Sequence, residues 1–169
     1  FLVINNGYSV LALADTDVND VDLTGNTTVQ ECFSDIMKGM PSRFMAIPDL
    51  VFFCPVGAAQ NYADEFAARE TSAGDGVFLN GFPQLRYFGR PVIPEPHLKD
   101  TTAGVDTDEL IMLTSASRLV NGIQRNFRMD AMWQPRKRVV EYTLTARTDA
   151  QYVSGELISR GHSLPAGLK

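Results

Sequence analysis

The stretch Ile123-Gln124-Arg125-Asn126-Phe127-Arg128-Met129-Asp130-Ala131-Met132-Trp133 and its continuation Val139-Val140-Glu141-Tyr142-Thr143-Leu144-Thr145-Ala146 decide the fold class. In the first run, Ile123, Phe127, Met129, Ala131 and Trp133 alternate with Gln124, Asn126, Arg128, Asp130 and Met132, and Arg125 breaks the apolar side. In the second, Val140, Tyr142, Leu144 and Ala146 alternate with Val139, Glu141, Thr143 and Thr145. A period of two over runs this long predicts strands with one buried face. The bend at Gln134-Pro135 joins them into a long antiparallel hairpin.

Upstream the period changes. Val29, Cys32, Phe33, Ile36, Met37 and Met40 fall on one helical stripe, predicting a helix over 27–39. Thr27-x-x-Gln30 and Thr28-x-x-Glu31 both fit a capping box, and Gly39 with Pro41 ends the helix. A strand is expected at 44–54, with Leu50-Val51-Phe52-Phe53-Cys54 buried on both faces. Pro55 then opens a second helix over 56–69, striped by Val56, Ala59, Tyr62, Ala63 and Phe66, with Asp64 and Glu65 off the stripe. A glycine-rich stretch, 74–81, precedes a short β segment at 87–93, a proline-broken loop at 94–96 and a polar loop at 99–108. Leu110-Ile111-Met112-Leu113 reads as a short strand, and 163–169 as a fraying tail. Helices first and a long sheet later define an α+β class rather than repeated βαβ units.

With 169 residues, 44% apolar and 21% charged, the chain has the composition of one globular domain. The longest apolar run, Leu50–Cys54, is far too short for a membrane-spanning helix. Two cysteines and two histidines supply neither a disulfide scaffold nor an evident zinc set. Cys32 and Cys54 fall in buried patterns and read as core thiols.

Motifs for chemistry are thin. Gly74-Asp75-Gly76 is no dinucleotide fingerprint, because Leu79 stands where a third glycine is needed. His97 and His162 read as surface histidines without a partner. No catalytic residue, metal or cofactor is expected. Charge is uneven: 1–110 hold 16 acidic and 6 basic residues, whereas 111–169 hold 4 and 9. The basic set is Arg118, Arg125, Arg128, Arg136, Lys137, Arg138 and Arg147. Arginines at alternating strand positions suit solvent or a neighbouring chain's acids better than nucleic acid, since no paired aromatics accompany them.

Several ordered motifs resemble those of the major capsid proteins of tailed bacteriophages. They are Lys38-Gly39-Met40-Pro41-Ser42-Arg43-Phe44, Leu50-Val51-Phe52-Phe53 leading to Asn61-Tyr62-Ala63, and Arg69-Glu70-Thr71-Ser72-Ala73-Gly74-Asp75. Tyr87-Phe88-Gly89-Arg90-Pro91-Val92-Ile93, Leu113-Thr114 through Leu119-Val120-Asn121-Gly122-Ile123, and Val140 to Ala150 with Arg147-Thr148-Asp149-Ala150 complete the set. The asparagine follows Leu119-Val120 here, where the family places it before. The family's N-terminal arm, extended loop and long spine helix have no counterpart, so the sequence reads as a fragment.

The resemblance implies the tailed-phage major capsid fold: a mixed axial-domain sheet with flanking helices, plus the hairpin. It divides the chain into a lead-in, 1–22; an axial domain, 23–122; peripheral sheet strands, 123–150; and a return strand with a flexible tail, 151–169. It implies a non-enzymatic shell subunit of a phage or prophage that builds hexamers and pentamers, assembled in the bacterial host cytoplasm and resident in the virion. Partners would be other copies of itself, with scaffold, portal or decoration proteins, weak contact with packaged DNA and no membrane. Arg118, Arg125, Arg128, Arg136 and Arg138 are the candidate subunit interface. The alternatives are a head–tail connector or decoration protein, or a small ligand-binding or hydrolase domain.

Asp15-x-Asp17-x-Asn19 begins like a calcium loop, but Asp20 stands at the glycine position and Asn26 where a bidentate glutamate belongs. Calorimetry should therefore show no micromolar calcium binding, and a micromolar isotherm would revive a calcium-stabilised module.

Overall fold

The Val29 stripe folds as helix α1, Val29–Gly39, and the second of the two capping boxes is the one used. Thr28 Oγ1 accepts from the Glu31 N–H (3.2 Å), while Glu31 Oε2 accepts from the N–H groups of Thr27 (2.9 Å) and Thr28 (3.2 Å). Helix α2, Val56–Ala67, starts directly after Pro55. Its Glu65 reaches across to α1 and accepts from the N–H groups of Val29 (2.8 Å) and Gln30 (3.3 Å), so one helix caps the other. The computed structural model describes residues 11, 12, 15–68, 85–96, 98–100 and 108–168; the side chains of 99, 100, 108, 109, 125 and 148 lie outside it.

The strands are β1, Asn19–Asp22; β2, Leu50–Cys54; β3, Arg86–Tyr87; β4, Arg90–Pro94; β5, Lys99–Asp100; β6, Asp108–Glu109; β7, Ile111–Ser115; β8, Leu119–Gln134; β9, Val139–Tyr152; and β10, Ser159–His162. Six form one mixed sheet in the order β1-β10-β7-β2-β4-β3. β1 runs parallel to β10 and β2 parallel to β4, the latter pair bridged by α2 as a single βαβ unit. β10–β7, β7–β2 and β3–β4 are antiparallel. β5 and β6 form a two-residue ladder, and β8 with β9 forms the long hairpin.

Alternation sends the central strands' side chains to two cores. Leu50, Phe52, Cys54, Ile111 and Leu113 join α1 and α2 on one face. Phe53 and Met112 join Val18, Leu98, Leu110, Ile158 and Tyr152 on the other. Leu50–Cys54 is thus covered on both sides, as its unbroken apolar run predicts. Phe33 centres an aromatic cluster in the first core, with ring centroids 4.8 Å from Phe52, 5.1 Å from Tyr62 and 5.5 Å from Tyr87. The turn joining β3 to β4 is only Phe88-Gly89, both with positive φ (47° and 75°). Two left-handed residues match a tight turn to the strand twist.

The structure departs from the sequence reading in several places. The polar stretch expected as a loop at 99–108 pairs at its two ends as β5 and β6, because backbone N–H and C=O groups bond whatever the side chains. The strand expected from 44 begins at Leu50, because Ser42–Phe44 close into a 3-10 turn with local bonds from Phe44 N–H to Pro41 O and from Met45 N–H to Ser42 O. Val56, counted on the α2 stripe, is exposed, and Ala58 is buried in its stead. The segment read as a lead-in contributes edge strand β1. The tail read as fraying is anchored: a turn at Ala166–Leu168 seats Leu164 and Leu168 in the first core. The glycine-rich 74–81, His97, the motif 69–75 and loop residues 101–107 lie outside the described residues.

Ile36 is fully buried between α1 and the sheet. Ile36→Asp places an unpaired carboxylate there, and should cost about 4 kcal/mol or more. A thermal melt should show the variant unfolded or more than roughly 8 °C less stable.

Candidate assembly interface

The hairpin projects from the body through two roots. Entering β8, Ser115 Oγ donates to Asp49 Oδ2 (2.7 Å), and Ser117 Oγ donates to the same oxygen. Leaving β9, Tyr152 Oη donates to Asp15 Oδ2 (2.6 Å), with Leu11 O as a second, longer acceptor of the same hydrogen (3.2 Å). Just beyond, Glu156 pairs with Arg43. Hydrogen bonds from Ser117 and Ser115 hold the Asp49 carboxyl below its ordinary value; Tyr152 and then the Asp17 N–H do so for Asp15.

Register assigns the faces. Met129 lies opposite Leu144, Ala131 opposite Tyr142, and Trp133 opposite Val140, so the apolar residues of both strands share one face. The other face carries Arg128 opposite Thr145, Asp130 opposite Thr143, and Met132 opposite Glu141. The strands expected to be half-buried are instead open on both faces. Trp133 is 56%, Tyr142 64%, Leu144 64%, Met129 67% and Phe127 73% exposed. The reason is topological: α1 and α2 both pack on the body sheet, and neither is available to cover the hairpin.

The five candidate arginines do not form one patch. Arg118 lies at the root, where its carbonyl accepts from the Val153 N–H (3.2 Å). The Arg125 side chain lies outside the described residues; its backbone pairs with Arg147. Arg128 Nε donates to Asp130 Oδ1 (2.9 Å) midway along β8. Arg136 and Arg138 flank Lys137 at the exposed tip. The tip stands on the order of 45 Å from the root, at about 3.4 Å per residue. The uncovered apolar face was the feature that composition did not flag. Its signal was a shortage of partners: among the described residues the two amphipathic helices both lie on the body sheet.

Hydrolase chemistry finds little support. Burial pushes the Cys32 thiol up to about 11 and the Cys54 thiol up to about 12, so both stay protonated. His162 Nδ1 meets Ser163 Oγ at 2.9 Å, but its Nε2 lies 3.6 Å from Asp20 Oδ2, too far for the bond that orients a catalytic base. An open hollow of about 670 Å³ beside the hairpin is lined by Gly122, Ile123, Gln124, Ala146, Arg147 and Asp149, with no nucleophile among them. Two acids of the calcium-like loop, Asp15 and Asp22, serve as acceptors within the chain. Asp15 takes Tyr152 and the Asp17 N–H, and Asp22 Oδ1 takes Thr24 N–H (3.0 Å) and Thr24 Oγ1 (2.6 Å).

A mixed sheet flanked by helices, with a long antiparallel hairpin projecting from it, is the fold of tailed-phage major capsid proteins, and this chain has it. It superposes on a structure from Mycobacterium phage Che8 with a TM-score of 0.66 at 12% identity, covering 93% of this chain and 58% of that one. For the satellite phage P4 procapsid the TM-score is 0.60 at 12% identity, covering 87% and 42%. For the SrpI encapsulin of Synechococcus elongatus PCC 7942 it is 0.58 at 16% identity, covering 87% and 53%. In sequence the chain is 25% identical over 146 residues to YqbE of Bacillus subtilis (strain 168), named as a prophage capsid protein, covering 83% of this chain and 46% of the relative. No family model matches. The chain spans about half the length of the relatives it matches.

Asp49 and Asp15 titrate lower when folded than when unfolded. Their contribution is complete above the ordinary aspartate value of about 4 and is lost as pH falls through the folded value. The melting temperature should therefore drop between roughly pH 5 and pH 3. In Asp49→Asn the drop should be shallower; a slope identical to the parent's would remove Asp49 from the titrating set.

Proposed function

We propose that this chain is a shell-building part of a phage or prophage capsid subunit, that it assembles with copies of itself into hexamers and pentamers, and that it performs no catalysis. In this reading the six-stranded body is the axial domain and the hairpin belongs to the peripheral sheet. The subunit resides in the virion and is assembled in the bacterial host cytoplasm, where scaffold, portal and decoration proteins are further partners. The observation that carries the proposal is the uncovered apolar face of the hairpin on a capsid-type fold. A two-stranded ribbon is marginal alone in water, and a contiguous apolar face of this kind marks an interaction surface. No helix among the described residues is long and apolar enough to cross a membrane.

The test uses the gene product that carries this chain, expressed in bacteria and examined by sedimentation and negative-stain microscopy. Closed particles are expected. Tyr142→Glu with Leu144→Glu should reduce their yield at least roughly tenfold while leaving the melting of the unassembled subunit within a few degrees, because both side chains are solvent-exposed in the isolated chain. Normal particles from this variant would show that the face plays no part in assembly. A gene product that forms no particles and turns over a small substrate would overturn the shell reading.

A further inference from the structure

We propose that the hairpin tip of one copy docks on the acidic edge of a second copy, Arg136, Lys137 and Arg138 against Asp17, Asp20 and Asp22, joining neighbouring subunits head to tail. The inference rests on the shell-subunit reading and names the contact within it.

The tip is a defined feature. Residues 135–138 are all exposed, the Lys137 N–H donates to Gln134 O (3.2 Å), and Arg138 is held at φ 53°. Among the described residues no acid partners the three cations. The nearby carboxylates of the hairpin are engaged: Asp130 by Arg128 and Glu141 by Gln134. The tip therefore presents three positive charges to solvent.

The complementary charge lies at the other end. β1 is an edge strand of the sheet, and Asp17, Asp20 and Asp22 are exposed along and just before it, Asp22 with one oxygen taken by Thr24 and Asp20 with His162 Nε2 at 3.6 Å. The bond from Tyr152 to Asp15 fixes this acidic strip beside the hairpin root. Root and tip are separated by the length of the hairpin, on the order of 45 Å. Strip and tip cannot meet within one chain; they can meet only between copies. A contact between two different patches is heterologous, and repeated around an axis it closes a ring. Surface ion pairs are individually weak, so the contact sets register and encounter rate, and shows itself in the assembled particle rather than in a stable dimer. It also weakens with salt.

The experiment is a charge swap in the gene product that carries this chain. Arg136→Glu with Arg138→Glu should lower particle yield roughly tenfold, and so should Asp17→Lys with Asp20→Lys. Combining all four should restore yield to within about threefold of the parent, because opposite charges face each other again. Arg136→Gln with Arg138→Gln, which removes charge without reversing it, should fall between. Melting curves of the unassembled subunits separate lost contact from lost fold. A combination no better than its parts, or normal yield from either reversal alone, overturns the contact. Normal particles from the tip variant that fail to retain nuclease-protected DNA assign the tip to nucleic acid and also overturn it. If the unaltered gene product forms particles while the swap is not rescued, the shell reading stands and this contact falls; if it forms none, both fall.

Discussion

Ile36 packs directly on β10 at Gly161, where any side chain would push the tips of Ile36 and Leu23 aside. A Cβ there would come within 2.6 Å of Leu23 Cδ1 and 2.7 Å of Ile36 Cδ1. The helix is drawn onto the strand, and Ser159 Oγ, also on β10, donates to the Ile36 carbonyl at 2.8 Å inside the core. β10 sits between β1 and β7 and lies beyond the hairpin in the chain. The body therefore closes only after the chain has run out along β8 and back along β9. The hairpin is an excursion from a continuous body, and both its roots are fixed by the sheet it leaves. Such long-range pairing is slow to form.

What was legible in the sequence was local. The α1 stripe and its capping box lie within a few residues of one another, and the unbroken run Leu50–Cys54 carries its two-sided burial in its own composition. The hairpin's alternation likewise put Met129, Ala131 and Trp133 on one side of their strand and Val140, Tyr142 and Leu144 on one side of theirs; which faces which is settled by the register. What was not legible depended on distant parts meeting. Glu65 looks like a surface acid on α2 until α1 presents its N-terminus to it. Leu164 and Leu168 look like a loose end until the first core receives them. The candidate interface was half legible for the same reason. The sequence names the arginines, but only the fold separates Arg118 at the root from Arg136 and Arg138 at the tip, and only the fold leaves Trp133 and Tyr142 uncovered.

The distribution of polar chemistry suits a building block. Carboxylates and hydroxyls at the roots bind parts of the chain to one another rather than converging on a cavity, and both cysteines are buried. The exposed resources are extended surfaces: an apolar ribbon, a cationic tip and an anionic edge. Each is suited to repetition between identical copies, where many small contacts add across a lattice.

The register of the hairpin changes twice on β8, between Ile123 and Arg125 and again between Arg125 and Arg128. From Ile123 to Met129 the chain advances six residues, while from Thr148 to Leu144 the partner strand advances four. Because side chains alternate, one surplus residue would exchange the two faces beyond that point, whereas two return them to phase. The outer half of the ribbon thus keeps its apolar side aligned with the inner half. Both surplus residues are absorbed between 123 and 128, so the outer ladder resumes with Met129 against Leu144 and Trp133 against Val140, and the irregular stretch is where the arm can bend and twist most.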